Sequence, residues 1–357
     1  MLEMDFLDQD YWDYANEFFG LSEPIIEAFH LEIDRINRSP ELQRLAWELH
    51  RRLYDSDESV QEMNARLLGM GPEEGMFAAV VYASGLPSLI DKYNSRGIPL
   101  HILKDTLSDL EIWMNHHRQK YGVWGLSELG WLVWHFRGGI FRLGRLQFLP
   151  NSYNEKVKVF RNRANGSVVA LSDDGVKFSA NGQKEDDHKW TSILEHDGDV
   201  VKGNKITPNG TVDREPMELS MKEWELVLEE GDRILEVHIP EGSKMTYELC
   251  KDSYRQAKEF AATYLPDQNI KAFTCTSWLL SPQLRQILPE SSNIVKFQSD
   301  YYCTTLLPDD TQMFERVFGM KLDDLSNAPH DTSLRRALLD YVADGNSVRG
   351  GAGFILW

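Results

Sequence analysis

Residues 233–264 read RILEVHIPEGSKMTYELCKDSYRQAKEFAATY, and this stretch decides the fold because it predicts a strand, a turn and a long helix in succession. Side chains alternate in character over residues 233–240, as in a strand with two different faces. Gly242 marks the turn. The helix predicted over 246–264 has Thr246 at its N-cap. Its buried face is indicated by a stripe at spacings of three and four: Tyr247, Cys250, Tyr254, Ala257, Ala261 and Tyr264.

The segments that follow continue to alternate between strands and helices. Strands are predicted at 271–277 and 293–303, and helices at 281–288, 310–318 and 333–343. This order is typical of a mixed or partly parallel sheet with helices packed on it.

The region before residue 233 is rich in signals for β-structure. Residues 141–148 (FRLGRLQF) predict a strand, and Asn165-Gly166 between two apolar runs predicts a hairpin. The charged run 184–189 is interpreted as a solvated loop. A short helix is predicted at 220–229, after further Asn-Gly turns at 181–182 and 209–210.

The N-terminal part predicts helices alone. Ser39 and Pro40 mark a helix start, and leucines recur after them at helical spacing. The pattern changes at residues 137–139. We therefore predict an α+β protein: a helical N-terminal domain (1–137) followed by a mixed-sheet α/β domain (138–357) with a β-rich insertion at about 150–215.

Composition narrows the classes of function. The formal net charge of the 357 residues is −18 and the pI is near 5.0, which disfavours a nucleic-acid partner. Three widely spaced cysteines suggest a reducing compartment, and no signal peptide or apolar run of about 18 residues is found. We expect a soluble cytoplasmic protein without a membrane partner. The histidines lack the spacing of metal ligands, so no metal is expected.

Glu236 and His238 are the strongest candidates for chemistry. They share one face of the predicted strand, whereas Leu235, Val237 and Ile239 share the other. Burying an unpaired acid and imidazole would be costly, so the two side chains face a cleft or each other. A carboxylate also favours the protonated imidazole, which suits proton transfer near neutrality. An edge strand with a solvated polar face explains the pattern equally well.

Two further features near this strand are weaker candidates. The helix start after Gly242 is a natural anion site, although Glu241 disfavours a polyanion there. Ser277 ends the second strand and offers a hydroxyl to a ligand, or else is satisfied by the local backbone.

Four segments together resemble a bacterial family of acyltransferases. They are FRLGRLQF at 141–148, LEVHIP at 235–240, TSWLL at 276–280 and DTSL at 331–334. The resemblance covers nearly the whole chain. It implies a helical N-terminal domain followed by a GNAT-like C-terminal acyltransferase domain.

The resemblance also implies a site. The strands that contain Leu235 and Phe273 would splay apart around the pantetheine arm of an acyl-CoA (acetyl-CoA or longer), and Glu236 and His238 would act as catalytic bases for an attacking amine. It assigns cofactor binding to Val237, Ile239, Gly242, Ser243, Thr246 and Ser277, with the pyrophosphate on the turn before the helix. That turn differs from the usual GNAT pattern, because it has one glycine and an added acid.

Three hypotheses of function follow. The first is an N-acyltransferase that moves an acyl group from acyl-CoA to an amine of a small molecule or peptide. The second is a GNAT-shaped binding or scaffold protein without a cofactor, and the third is a hydrolase of a small polar substrate. Two or more N–H groups of residues 242–246 that converge on a cavity between splayed strands would favour the first hypothesis. A turn filled by side chains would favour the second.

Overall fold

The computed structural model describes residues 5–56, 59–186, 188–304, 306–307, 311–319, 328–346 and 348–357. Two compact units share the chain. The first contains Met1–Leu149, Ile239–Lys244 and Asp252–Tyr264, and the second contains Pro150–His238, Met245–Lys251 and Leu265–Trp357.

The N-terminal part is helical, as predicted. Ser39 caps one helix by accepting a hydrogen bond from Leu42 N at 3.3 Å, and Pro40 occupies its first position. The helices are α1 (Gln9–Phe19), α2 (Glu23–Asn37), α3 (Pro40–Tyr54), α4 (Gln61–Gly69), α5 (Gly75–Ala83), α6 (Leu86–Ser95), α7 (Leu100–Leu107), α8 (Asp109–Tyr121) and α9 (Leu129–Phe136), with a 3₁₀ turn at Pro72–Glu74.

Helix α5 is buried along its whole length, so the other helices cover it. Two tyrosine hydroxyls in this core donate to backbone carbonyls. Tyr11 donates to the carbonyl of Ala83 at 2.7 Å, and Tyr82 donates to the carbonyl of Leu129 at 3.0 Å. These bonds remove the cost of burying each hydroxyl.

The single strand predicted at 141–148 is wrong, because this segment is a hairpin. Strand β1 (Phe141–Leu143) pairs antiparallel with β2 (Leu146–Ser152), with Phe141 opposite Phe148. Gly144 begins the two-residue turn with φ of 68°, a conformation that favours glycine. The turn explains why the alternation of the sequence is imperfect there.

The predicted β-rich insertion is confirmed as part of the fold. Strands β3 (Val157–Asn162) and β4 (Val168–Ser172) form the expected hairpin around Asn165-Gly166. They belong to a sheet of order β11-β3-β4-β9, beside a sheet β10-β8-β7 and a pair β5-β6. The remaining strands are β5 (Lys177–Phe178), β6 (Trp190–Thr191), β7 (Leu194–Asp197), β8 (Val200–Gly203), β9 (Lys205–Ile206), β10 (Met217–Ser220) and β11 (Trp224–Leu228). The loop predicted at 184–189 includes residue 187, which lies outside the described residues.

The helix predicted at 220–229 is wrong, since the segment forms the end of β10 and all of β11. Strand β11 pairs antiparallel with β3, and its register shifts between Leu226 and Leu228. Leu226 packs on one apolar cluster and Leu228 lies in another. Pairing and burial therefore outweigh the helix propensity of the Glu and Leu residues in this segment.

A mixed sheet forms the centre of the second unit. Strand β12 (Arg233–His238) leads into helix α10 (Tyr247–Tyr264), and β13 (Ala272–Ser277) follows it. From β2 onward, the strand order of this sheet is β2-β12-β13-β15-β14. Strand β12 is parallel to β13, whereas β15 is antiparallel to both β13 and β14. The later elements are 3₁₀ turns at Pro266–Gln268 and Trp278–Leu280, helices α11 (Leu284–Ile287) and α12 (Asn293–Ser299), strand β14 (Tyr302–Thr304), helices α13 (Thr311–Phe318) and α14 (Ser333–Ala343), and strand β15 (Gly351–Leu356).

The strand predicted at 293–303 is wrong over most of its length. Ser292 accepts a hydrogen bond from Ile294 N at 3.3 Å and starts α12, and only Tyr302–Thr304 is a strand. Phe297 and Gln298 are buried on the inner face of this helix. The helix predicted at 310–318 begins at a residue outside the described ones, and its described part is α13.

No helix within the described ranges has both the length and the apolar character that crossing a bilayer requires.

Gly351 provides a test of the mixed sheet. A Cβ on this residue would meet the backbone carbonyl of Leu280, which cannot move as a side chain can. We expect Gly351→Ala to lower the free energy of unfolding by about 2 kcal/mol or more. The control is Gly130→Ala, at an exposed helical position with open space around it, which should change stability by less than about 1 kcal/mol. Equal denaturant midpoints for the two variants would contradict the close approach at Gly351.

Candidate active site

The parallel pairing of β12 with β13 ends before either strand does. The pairs are Ile234 with Ala272, Leu235 with Phe273 and Glu236 with Thr274. Strand β12 then continues through Val237 and His238. Strand β13 continues to Ser277 in antiparallel pairing with β15, where Ser277 lies opposite Gly351. The pairing of the two strands therefore ends at Glu236 and Thr274.

Glu236 and His238 lie together, as their shared strand face predicts. His238 Nε2 is 3.6 Å from Glu236 Oε1, and the two side chains are 26% and 29% exposed. Asn151 Nδ2, at the end of β2, donates to Glu236 Oε2 at 3.1 Å. Arg233 Nη1 donates to Ser152 Oγ at 3.1 Å beside it. In the sheet, β12 lies between β2 and β13, so the alternative of an edge strand is wrong.

Glu236 also lines a cavity of about 270 Å³ in the second unit. Its wall is largely polar and includes two carboxylates together with hydroxyls and amides: Asn151, Glu155, Glu236, Thr274, Thr276 and Thr304. Among the described residues, no lysine or arginine lines it. Thr304 is 4% exposed, and its Oγ1 has no hydrogen-bond partner among the described residues. A cavity with this wall suits a cationic or hydrogen-bonding ligand.

Cys275 belongs to the same wall but is a poor nucleophile. Burial raises the pKa of its thiol far above the usual range, and the charge of Glu236 raises it further. The side chain is 1% exposed. The thiol is therefore protonated at neutral pH, and a protonated, buried thiol does not act as a nucleophile.

The turn after β12 is open to solvent. Gly242 has φ of 124°, a region that L side chains rarely adopt, and residues 241–244 are exposed. Thr246 accepts from Leu249 N at 3.3 Å, which confirms it as the cap of α10. The turn is therefore not filled by packed side chains.

The other predicted binding residues differ in accessibility. Val237 is buried, Ile239 is half-buried and Ser243 is exposed. Ser277 Oγ accepts from Leu279 N at 3.2 Å, so this hydroxyl oxygen is engaged by the local backbone. Its interaction agrees with the alternative interpretation of Ser277.

Several neighbours of the site could not be identified from the sequence. Asn151, which holds Glu236, and Thr304, on the cavity wall, are distant from it in the chain. The turn at Ile239–Lys244 belongs to the first unit, and two residues of that same unit contact it. Arg145 donates to the carbonyls of Pro240 and Ser243, and His116 pairs with Glu241. The sequence contains one signal for the first of these contacts, which is that Arg145 directly follows the hairpin glycine Gly144.

Sequence models of two protein domains match the chain. The model described as the N-acyltransferase N-terminal domain matches residues 12–138, and that of the GNAT-like C-terminal domain matches residues 140–355. The chain belongs to this acyltransferase family. A comparison with characterised proteins by sequence finds no significant match.

Solved structures share the fold of this acyltransferase-family chain. An acyltransferase mutant in complex with octanoyl-CoA is 20% identical with a TM-score of 0.65, over 97% of this chain and 88% of that chain. An acyltransferase in complex with decanoyl-CoA and teicoplanin is 20% identical with a TM-score of 0.64 over the same shares. A third, with decanoyl-CoA, is 22% identical with a TM-score of 0.62, over 97% and 87%.

The cysteines provide a test of the site's burial. Cys250, Cys275 and Cys303 are all buried, and burial raises the pKa of the latter two. We expect Ellman's reagent at pH 8 to label the native protein very slowly and to label all three thiols in guanidinium. Comparison with the Cys275→Ala variant shows how much of the labelling comes from Cys275, the cysteine on the cavity wall. Rapid labelling of native protein that disappears in this variant would contradict an inert Cys275.

Proposed function

We propose that this protein transfers an acyl group from acyl-CoA to an amine. The observation that carries the proposal is the early end of the β12–β13 pairing, which leaves Glu236 on a polar cavity where the strands part. Membership of the acyltransferase family supports it. The fold shared with structures that hold octanoyl-CoA and decanoyl-CoA makes medium-chain thioesters the first donors to test.

In this proposal Glu236 accepts the proton of the attacking amine, directly or through a water molecule. The nitrogen forms a bond to the thioester carbonyl carbon, the C–S bond breaks, and the CoA thiolate takes up a proton. His238 lies 3.6 Å from Glu236 and, as the second base of the pair, takes up the proton that Glu236 accepts. Asn151 holds the carboxylate in place through a 3.1 Å hydrogen bond.

The remaining predicted residues bind the donor in this proposal. The backbone at Val237 and Ile239 lies along the thioester and pantetheine arm, where an N–H group polarises the carbonyl. Gly242, Ser243 and Thr246 receive the pyrophosphate at the start of α10, and Ser277 lies near the arm. The division at residues 137 and 138 would then separate a helical domain from the domain that carries the chemistry.

The acceptor in this proposal is an amine of a small molecule or peptide. Glu155 and Glu236 on the cavity wall favour a cationic group, and no lysine or arginine of the described ranges lines the cavity. One structural neighbour holds teicoplanin together with decanoyl-CoA. This neighbour supports acceptors larger than the cavity, with only the amine-bearing part entering it.

A second candidate function is a GNAT-shaped binding protein without a cofactor. Glu241 favours it, because a carboxylate on an exposed turn repels a pyrophosphate. Titration calorimetry with acetyl-, octanoyl- and decanoyl-CoA separates the two candidates. Absence of binding at millimolar concentrations would exclude the transferase and leave the binding protein.

We expect Glu236→Gln to lower kcat roughly 10²- to 10⁴-fold, because the amide cannot accept the proton. His238→Ala should lower it about tenfold, and both variants should keep their affinity for acyl-CoA. Release of free CoA in the presence of a panel of amines measures turnover, and calorimetry measures affinity. Glu218→Gln, an exposed carboxylate on β10, serves as the matched control. Equal loss of binding and turnover in the Glu236 variant would indicate a structural role instead.

A further inference from the structure

Arg145 is a buried arginine that binds two carbonyls of the turn after β12. It is 8% exposed. Its Nη1 donates to the carbonyl of Pro240 at 2.7 Å, and its Nε donates to the carbonyl of Ser243 at 2.9 Å. Its own backbone is fixed as well, because Arg145 N donates to Ser253 Oγ at 2.8 Å. The guanidinium thus holds both ends of a four-residue segment from a rigid hairpin turn.

These two bonds fix the direction of the N–H groups that follow. The chain has no cis peptide bond among the described residues, so each carbonyl and the next N–H point in opposite directions. With the carbonyls of Pro240 and Ser243 aimed at Arg145, the N–H groups of Glu241 and Lys244 point away from it. No backbone carbonyl of the described residues accepts from these two N–H groups. Both residues are exposed, so the donors are available to an anion.

Glu241 is the obstacle to an anion on this turn, and His116 in α8 engages it. His116 Nε2 lies 2.5 Å from Glu241 Oε2, in a pair whose side chains are 34% and 67% exposed. The imidazole N–H fixes the position of the carboxylate through this contact and offsets part of its charge. Because the pair is exposed, solvent screens its effect, which we expect to be several-fold rather than large.

We propose that Arg145 and His116 are positioning residues that let this one-glycine turn receive the phosphates of acyl-CoA. Arg145 aims the backbone donors, and His116 offsets the acid that would repel the phosphates. The proposal rests on the function proposed above and adds two residues to it. Neither residue takes part in the transfer of the acyl group itself.

The test compares two donors that differ in their phosphates. Decanoyl-CoA has the pyrophosphate, and decanoyl-pantetheine has the same thioester without it. Arg145→Lys keeps the charge but loses the two-pronged geometry. We expect this variant to raise the KM for decanoyl-CoA roughly tenfold, with kcat and the KM for decanoyl-pantetheine unchanged. A general structural defect would weaken the use of both donors alike.

The pair with Glu241 gives an independent test that does not alter Arg145. His116→Ala should raise the KM for decanoyl-CoA about threefold, and adding Glu241→Gln should restore it, because the uncompensated carboxylate is then gone. His101→Ala, at an exposed position in α7, is the matched control and should have no effect.

The outcomes separate this inference from the proposed function. If wild-type protein transfers the acyl group from both donors and the variants show no donor-dependent difference, the positioning role is wrong and the transferase remains. If wild-type protein uses neither donor with any amine, the transferase proposal fails and the positioning role fails with it. If circular dichroism shows that Arg145→Lys does not fold, the positioning role is decided by the other test. It is then wrong if His116→Ala does not raise the KM for decanoyl-CoA or if adding Glu241→Gln does not restore it.

Discussion

Strand β12 pairs with β13 in parallel for three residue pairs, and the rest of the second unit depends on where that pairing stops. Beyond Glu236 and Thr274, β13 keeps its hydrogen bonds with β15 as far as Ser277. The backbone of β12 at Val237 and His238 is therefore released from that neighbour. Where the hydrogen bonds between two parallel strands end, water or a ligand must satisfy the backbone N–H and C=O groups that face the gap. A substrate can therefore bind at this point more readily than apolar side chains can pack there.

The strand tolerates an acid and an imidazole at this point because its two faces have different surroundings. Leu235 and Val237 are 1% and 2% exposed and pack into the interior. Glu236, on the other face, has Asn151 as a hydrogen-bond donor and His238 as a neighbour, and it borders a polar cavity. A carboxylate with these partners is half-buried at a modest cost in stability, because its oxygens are not left without a donor.

Local signals sufficed for the elements that carry the candidate residues. The period of two over 233–240 placed Glu236 beside His238, and the spacing of α10 gave its cap at Thr246. Local signals failed where distant partners decide the structure. Residues 224–228 are a strand because the distant β3 pairs with them. The same limit hid Asn151, Arg145 and His116, which reach the site from 85, 95 and 125 positions away in the chain. At residues 293–299 the strand prediction failed for another reason, because it overlooked a local signal, the Ser292 cap of α12.

The turn shows how such distant partners change the meaning of a local motif. Judged by composition alone, one glycine and one acid are a poor phosphate loop, because close approach of the backbone usually needs more glycine. Glycine allows the backbone more conformations, however, but it does not determine the direction in which the N–H groups point. Here Gly242 alone adopts the positive φ, and direction comes from a guanidinium that binds the carbonyls on both sides of it. A loop oriented from outside needs fewer glycines of its own, so the missing second glycine argues less strongly against a phosphate than the sequence suggests.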